Sequence, residues 1–237
     1  MASVINYEAG GNTYSKPYDF EGKGYREKEP MLLLDKTGSM KDTTTLNGTM
    51  KRYEMAYFVV KGVVEELTKL DSAAQKTVEA EGGGIKTTLF SMDSVQDFGD
   101  LNPGNLDTKW LTIQWGGGTL LMPGWRNLMG NYYREFADEP IDEKPLQLIT
   151  IITDGEADDL ETFTKKLESE KDAYITIVVL GYFNPYYQID SDPHTKVLKS
   201  FNDLAAKNNR VRIIDATDAT DHTKICAAIL ERATQDN

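Results

Sequence analysis

Asp35, Thr37 and Ser39 place one carboxylate and two hydroxyls on alternate residues, directly after the apolar run Met31-Leu32-Leu33-Leu34. Two later stretches offer matching oxygens. Thr119 follows Gly116-Gly117-Gly118, and Asp154 closes the run Ile149-Thr150-Ile151-Ile152-Thr153 just before Gly155. Carboxylate and hydroxyl oxygens with no Cys or His beside them suit a hard divalent cation. Magnesium is the expected ion, with manganese or calcium as alternatives, because magnesium takes six oxygens at about 2.0–2.1 Å and keeps several of them as water. The lack of sulfur and imidazole ligands disfavours zinc. Alone, Asp35-Lys36-Thr37-Gly38-Ser39 reads equally as a strand-to-loop turn, since all of these residue types except lysine are common in turns. Thr119 and Asp154 shift the reading toward an ion site.

Such groups converge only if the elements beneath them are placed correctly. From residue 31 onward, apolar runs alternate with amphipathic stretches, which is the pattern of βα units around a mainly parallel sheet. Strands are expected at 31–35, 85–91, 147–152, 174–181 and 210–214, each apolar enough to be covered on both faces. A turn at Met92-Asp93-Ser94 suggests an antiparallel edge strand at 95–99. Met55, Phe58, Val59, Val63, Leu67 and Leu70 recur at a period near 3.6 and predict a helix over 52–70. Further helices are expected at 119–137, 159–170, 193–207 and 219–233, the fourth of the five opened by the cap and proline of Asp192-Pro193. In an open α/β sheet, ligands gather beyond the carboxyl ends of strands where the strand order reverses. Asp35 and Asp154 both leave strands at such ends. If those strands are neighbours, their carboxylates meet at close range, which is costly without a cation between them.

At this point the chain resembles a known family. Asp35-Lys36-Thr37-Gly38-Ser39-Met40 resembles the Asp-x-Ser-x-Ser motif of von Willebrand factor type A (VWA) domains, their metal-ion-dependent adhesion site (MIDAS). Gly117-Gly118-Thr119 resembles the Gly-Gly-Thr loop of these domains, and Ile152-Thr153-Asp154-Gly155 their apolar strand followed by Thr-Asp-Gly. The resemblance covers roughly residues 30–235, with the motifs in the family's order. It implies an α/β, three-layer Rossmann-like sandwich with strand order 3-2-1-4-5-6, helices on both faces and one antiparallel edge strand. It also implies a divalent ion on the top edge. Residues matching Thr37, Ser39 and Thr119 would reach that ion directly or through water, and those matching Asp35 and Asp154 through bound water. An Asp or Glu of a protein partner would fill the remaining position. Thr37 departs from the usual serine, keeping the hydroxyl and adding a methyl.

The same residues resemble a second family, the Asp-Lys-Thr-Gly-Thr motif of P-type ATPases and haloacid-dehalogenase relatives. There Asp35 would be a phosphoryl-accepting nucleophile and Asp154 a magnesium ligand. Ser39 in place of threonine, Thr153 in place of glycine, the unexplained Gly-Gly-Thr loop and the lack of membrane spans weigh against it. The chain is therefore expected not to be an enzyme. Its expected role is that of a metal-dependent adaptor or, alternatively, a subunit of an AAA ATPase assembly.

The composition narrows the partners. With 38 Asp and Glu against 26 Lys and Arg, the net charge of -12 over 237 residues disfavours nucleic acid. No apolar run reaches the roughly 20 residues of a membrane span. Residues 1–30 read as an N-terminal extension, with order contributed by Tyr7, Tyr14, Tyr18 and Phe20, and residues 31–237 as the domain. The extension carries no apolar signal core, so a cytoplasmic location is expected. The single Cys226 cannot form an internal disulfide and is expected in the core. Glu156, Asp158, Asp159 and Glu161 are expected to cap and charge the first turn of the next helix, and Thr119 is expected to cap the helix after the glycine loop as well as serve the ion. His194 and His222 are expected at the surface or in caps, and at least one of Trp115 and Trp125 in the core.

Overall fold

Leucines 32, 33 and 34 cannot all face one way in a strand, because successive side chains alternate between faces. In the computed structural model of the chain, which describes residues 3–9, 12–18, 28–70, 84–140 and 144–234, both faces of that strand are covered. Strand β3 (Lys28–Asp35) sends Leu32 and Leu34 into one core and Met31 and Leu33 into another. Strand β6 (Leu146–Thr153) divides likewise, with Ile149 and Ile151 opposite Ile152. In β7 (Ala173–Gly181), Ile175, Ile177 and Val179 oppose Val178 and Leu180.

The remaining strands of this sheet are β4 (Ile85–Phe90), β5 (Val95–Leu101) and β8 (Val211–Thr217). The six-stranded order is β5-β4-β3-β6-β7-β8. Counted within the sheet, this is the expected 3-2-1-4-5-6, parallel throughout except for the antiparallel β4–β5 edge. The strand order reverses between β3 and β6, so the ends of these two strands are where a site should form.

Helices cover both faces. On one lie α1 (Arg52–Leu70), the short α2 (Leu106–Trp110) and, after the last strand, α6 (His222–Thr234). Met55, Val59 and Val63 of α1 pack in the same cluster as Ile225, Cys226 and Ile229 of α6. On the other face lie α3 (Leu121–Glu135), α4 (Leu160–Glu168) and α5 (Pro193–Lys207). Their Trp125, Phe163 and Phe201 fill the second core, with the Trp125 and Phe163 rings edge to face at 5.9 Å. Fully burying an apolar side chain contributes about 1.5–3 kcal/mol, so these two layers supply most of the fold's driving force. None of the described helices is long and apolar enough to cross a membrane.

The structure adds a separate antiparallel hairpin of β1 (Ser3–Ala9) and β2 (Asn12–Tyr18). The expected contributions of the Tyr7, Tyr14, Tyr18 and Phe20 side chains lie outside the described residues. Helix α2 was not expected: five residues are too few to show a helical period. Cys226 is buried and its thiol is pushed up to about 12 by that burial. Trp125 is core, while Trp115 is half-buried against Tyr53 and Trp110. His194 corrects the surface expectation: it is 3% exposed, and its Nε2 lies 2.7 Å from Thr217 Oγ1. Burial in the α5–β7 crevice lowers its pKa.

Candidate metal centre

β3 and β6 are parallel neighbours with Leu34 opposite Ile152, so Asp35 stands level with Thr153 and one residue short of Asp154. Asp35 is fully buried. Its Oδ1 accepts the Thr37 backbone N–H at 2.8 Å, closing a turn as the chain leaves the sheet, and its Oδ2 accepts the Thr153 hydroxyl at 2.7 Å. The Thr153 oxygen in turn accepts the Gly155 N–H at 2.8 Å, fixing the start of the Asp154 loop. Beyond Asp35 the Thr37 and Ser39 hydroxyls lie 3.1 Å apart, within a turn that continues into a single 3-10 turn, Gly38–Lys41. The methyl of Thr37 is accommodated, since the residue has no exposed surface.

The glycine loop is laced to this motif by main-chain bonds. Gly116 N–H donates to the Lys36 carbonyl at 2.8 Å, and Gly38 N–H donates to the Gly117 carbonyl at 3.0 Å. Gly117 has φ of +85°, and a Cβ there would lie 2.6 Å from Asp93 Oδ2, so this position requires glycine. The Thr119 carbonyl accepts the Asp158 N–H at 3.2 Å, tying the glycine loop to the Asp154 loop. The structure thus joins the segments carrying Asp35, Thr37, Ser39, Thr119 and Asp154 at one end of the sheet.

Two expectations change here. Thr119 does not cap α3. Asp159 does so from the opposite loop, accepting the Leu121 and Met122 N–H groups at 2.8 Å through its two oxygens. A carboxylate at that terminus also faces the positive end of the helix dipole. Asp159 therefore serves α3, and its side chain makes no cap bond to its own helix α4. Thr119 is left at 8% exposure beside the site.

The electrostatics are those of carboxylates held close together out of water. Burial, and then the charge of Asp154, raise the pKa of Asp35 from 3.8 to about 7. Asp154 is 1% exposed and is met by a residue the motifs did not indicate. Arg52, at the start of α1, places Nη1 2.7 Å from Asp154 Oδ2. The other oxygen, Oδ1, accepts the Glu156 N–H at 3.3 Å. Lys36, the cation within the motif, turns away to Ser94 Oγ at 2.6 Å. Among the described residues no three His, Cys, Asp or Glu side chains form a metal-holding group, so any ion here depends on hydroxyl oxygens as well. The donor set fits such an ion: all of its atoms are hard oxygens, and the charge of Asp154 opposes ionisation of Asp35 in the absence of a further cation.

This combination of reversed strand order, an antiparallel edge and site loops at the carboxyl strand ends is a VWA-like fold. Solved structures bear this out. The SpRpn10 VWA domain matches at a TM-score of 0.54 and 10% identity, over 90% of this chain and 99% of that one. Proximal thread matrix protein 1 from the mussel byssus, with a zinc occupied MIDAS motif, matches at 0.54 and 15% identity, over 90% of this chain and 50% of that one. At such identities the likeness is one of fold. No protein-family model and no curated protein matches the chain.

Proposed function

We propose that this domain binds a divalent cation through Asp35, Thr37, Ser39, Thr119 and Asp154 and uses it to hold an Asp or Glu side chain of a protein partner. The observation that carries this reading is the placement of two buried aspartates on adjacent strand ends, with the Thr37 and Ser39 hydroxyls beside them. A bound ion supplies a Lewis-acidic position for an incoming carboxylate. The chain's own residues do the rest. Thr37, Ser39 and Thr119 offer neutral oxygens, which leave more of the ion's charge for the ligand. Asp35, anchored by Thr37 N–H and the Thr153 hydroxyl, and Asp154 hold the aqueous side of the shell. The net charge of -12 repels acidic ligands only at long range, since screening removes most of it beyond about 8 Å at physiological salt.

The anchoring of Asp35 speaks against a phosphoryl-accepting role. A nucleophilic carboxylate needs an oxygen open to substrate, whereas both Asp35 oxygens are engaged and the residue has no exposed surface. Magnesium remains the proposed ion. The zinc occupied MIDAS motif of the mussel protein supports including zinc in the test. A cytoplasmic setting suits the single buried, unpaired cysteine. The expected boundary at residue 30 moves back to Lys28, because Lys28, Glu29 and Pro30 already pair with β6 as the start of β3; residues 1–27 are proposed to lie outside the binding unit.

Calorimetric titration of the native chain with magnesium, manganese, calcium and zinc, beside Asp154→Ala and Thr119→Ala, tests the site. Saturable binding by the native chain, weakened at least about tenfold in both variants, is expected. No binding by the native chain, or unchanged binding in both variants, rejects the assignment. Affinity purification with and without magnesium then separates the adaptor role from membership of an ATPase assembly.

A further inference from the structure

We propose that Arg52 couples metal binding to ligand binding, so that a divalent ion is held tightly only when an anionic carboxylate joins it. The inference rests on the metal-centre reading above and adds to it a residue that none of the three motifs contains. Arg52 is 5% exposed, with Nη1 2.7 Å from Asp154 Oδ2 and 3.5 Å from the Ser39 carbonyl. The Tyr182 ring lies 5.9 Å from its guanidinium carbon, and its Nε is buried with no hydrogen-bond partner among the described residues. It is a fixed internal cation, pressed against two of the residues assigned to the ion.

Charge bookkeeping gives this position its consequence. When ionised, Asp35 and Asp154 bring two negative charges, the hydroxyls bring none, and Arg52 brings a positive charge that it does not lose at any ordinary pH. A divalent ion entering this set leaves one positive charge uncompensated in a largely buried site, where such imbalance is poorly screened; Glu156, whose charge also reaches Arg52 and Asp154, is solvent-exposed and offsets it less. A carboxylate from the partner restores neutrality. Without Arg52 the ion and the two aspartates would already be neutral together. The ion would then bind more tightly alone, and the incoming carboxylate would gain less from it. Arg52 therefore trades resting metal affinity for ligand dependence.

The competing explanation is that Arg52 only fastens α1 to the Asp154 loop. The two explanations predict opposite signs. If Arg52 were only a fastener, its loss would let Asp154 drift and would weaken metal binding. If it is a charge coupler, its neutralisation strengthens metal binding. The experiment titrates manganese into the full chain, with free ion counted by electron paramagnetic resonance, for the native protein, Arg52→Gln and Arg52→Lys. Each is measured with and without saturating sodium acetate as the carboxylate probe, and far-ultraviolet circular dichroism checks folding. The expected result is manganese affinity at least about tenfold higher in Arg52→Gln than in the native chain without acetate, within the usual range of coupling between sites. Acetate should raise the affinity of the native chain and of Arg52→Lys severalfold and change that of Arg52→Gln little. Equal or weaker binding by a folded Arg52→Gln overturns the proposal. Should Arg52→Gln not fold, an acetate-independent affinity in the native chain and Arg52→Lys overturns it equally. If none of the proteins binds manganese under either condition, the metal-centre reading itself fails, a result distinct from the others.

Discussion

Neutralising Asp35 should stabilise the metal-free chain above neutral pH, the reverse of what removing a well-paired carboxylate does. Folding raises the pKa of Asp35 from 3.8 to about 7, through burial first and the charge of Asp154 second. A raised folded-state value means that the folded protein holds the proton more firmly than the unfolded chain. The resulting stabilisation is complete below pH about 3.8 and is lost as pH rises through about 7. At about 1.4 kcal/mol per unit, the full shift corresponds to an upper bound of about 4 kcal/mol. Asp35→Asn keeps the shape and an oxygen for the Thr37 N–H while removing the titration. Urea unfolding of both proteins in EDTA, from pH 4 to pH 8, isolates the effect because all the other acids are common to the two. The native chain should match the variant near pH 4 and fall progressively below it, by as much as about 4 kcal/mol at pH 8. Adding a divalent ion at pH 8 should close the gap by stabilising the native chain selectively. Two stability curves that stay parallel across this range would refute the argument that Asp35 is an uncompensated buried acid.

Other substitutions test the scaffold under the site. Gly155 has φ of +74°, and a Cβ there would lie 2.4 Å from Val197 Cγ1 and 2.9 Å from the Phe201 ring. Gly155→Ala should therefore cost about 2–5 kcal/mol in chemical unfolding, from strain and overpacking together. Asp159→Ala removes the cap that holds Leu121 and Met122 N–H, and should lower stability by about 1–2 kcal/mol. Asp158→Ala, exposed and one residue away, should stay within about 0.5 kcal/mol, and thermal melts of the pair read the contrast. Trp125→Ala should cost about 3–5 kcal/mol, because the residue is 2% exposed in the core under α3, and differential scanning calorimetry measures the loss.

The parts of the structure legible in the sequence are those that depend on local pattern. Strands β3, β6 and β7 are apolar on both alternations, because helices cover both faces, and such runs stand out without an alignment. The glycine loop ahead of Thr119 and the glycine after Asp154 also announce themselves, since main-chain geometry at Gly117 and Gly155 excludes other residues. What the sequence conceals is the choice of partner across long separations. Asp159 precedes α4 and carries every local mark of that helix's cap, yet it serves α3, whose first N–H groups lie 38 and 37 positions earlier. His194 stands at the second position of a helix opened by Asp192-Pro193, which usually means surface. Gly181, on the neighbouring strand end, leaves room for its ring, since a Cβ there would lie 2.6 Å from His194 Nδ1. Neither outcome follows from composition or period.

Arg52 is the sharpest case, because the missing information concerns charge and not shape. The three motifs specify where oxygens gather, and a reader of those motifs counts two aspartates and finds a site ready for a dication. The count changes when a residue 102 positions from Asp154 closes on it at 2.7 Å. Within its own helix Arg52 looks like the ordinary first residue of α1, before an amphipathic run that continues through Met55 and Val59. Only the crossing of α1 over the end of β6 turns that position inward. A set of ligand residues is thus an incomplete description of an ion site. The fixed charges that touch those ligands decide whether the ion stays alone or waits for a partner, and here that charge comes from a helix the motifs never mention.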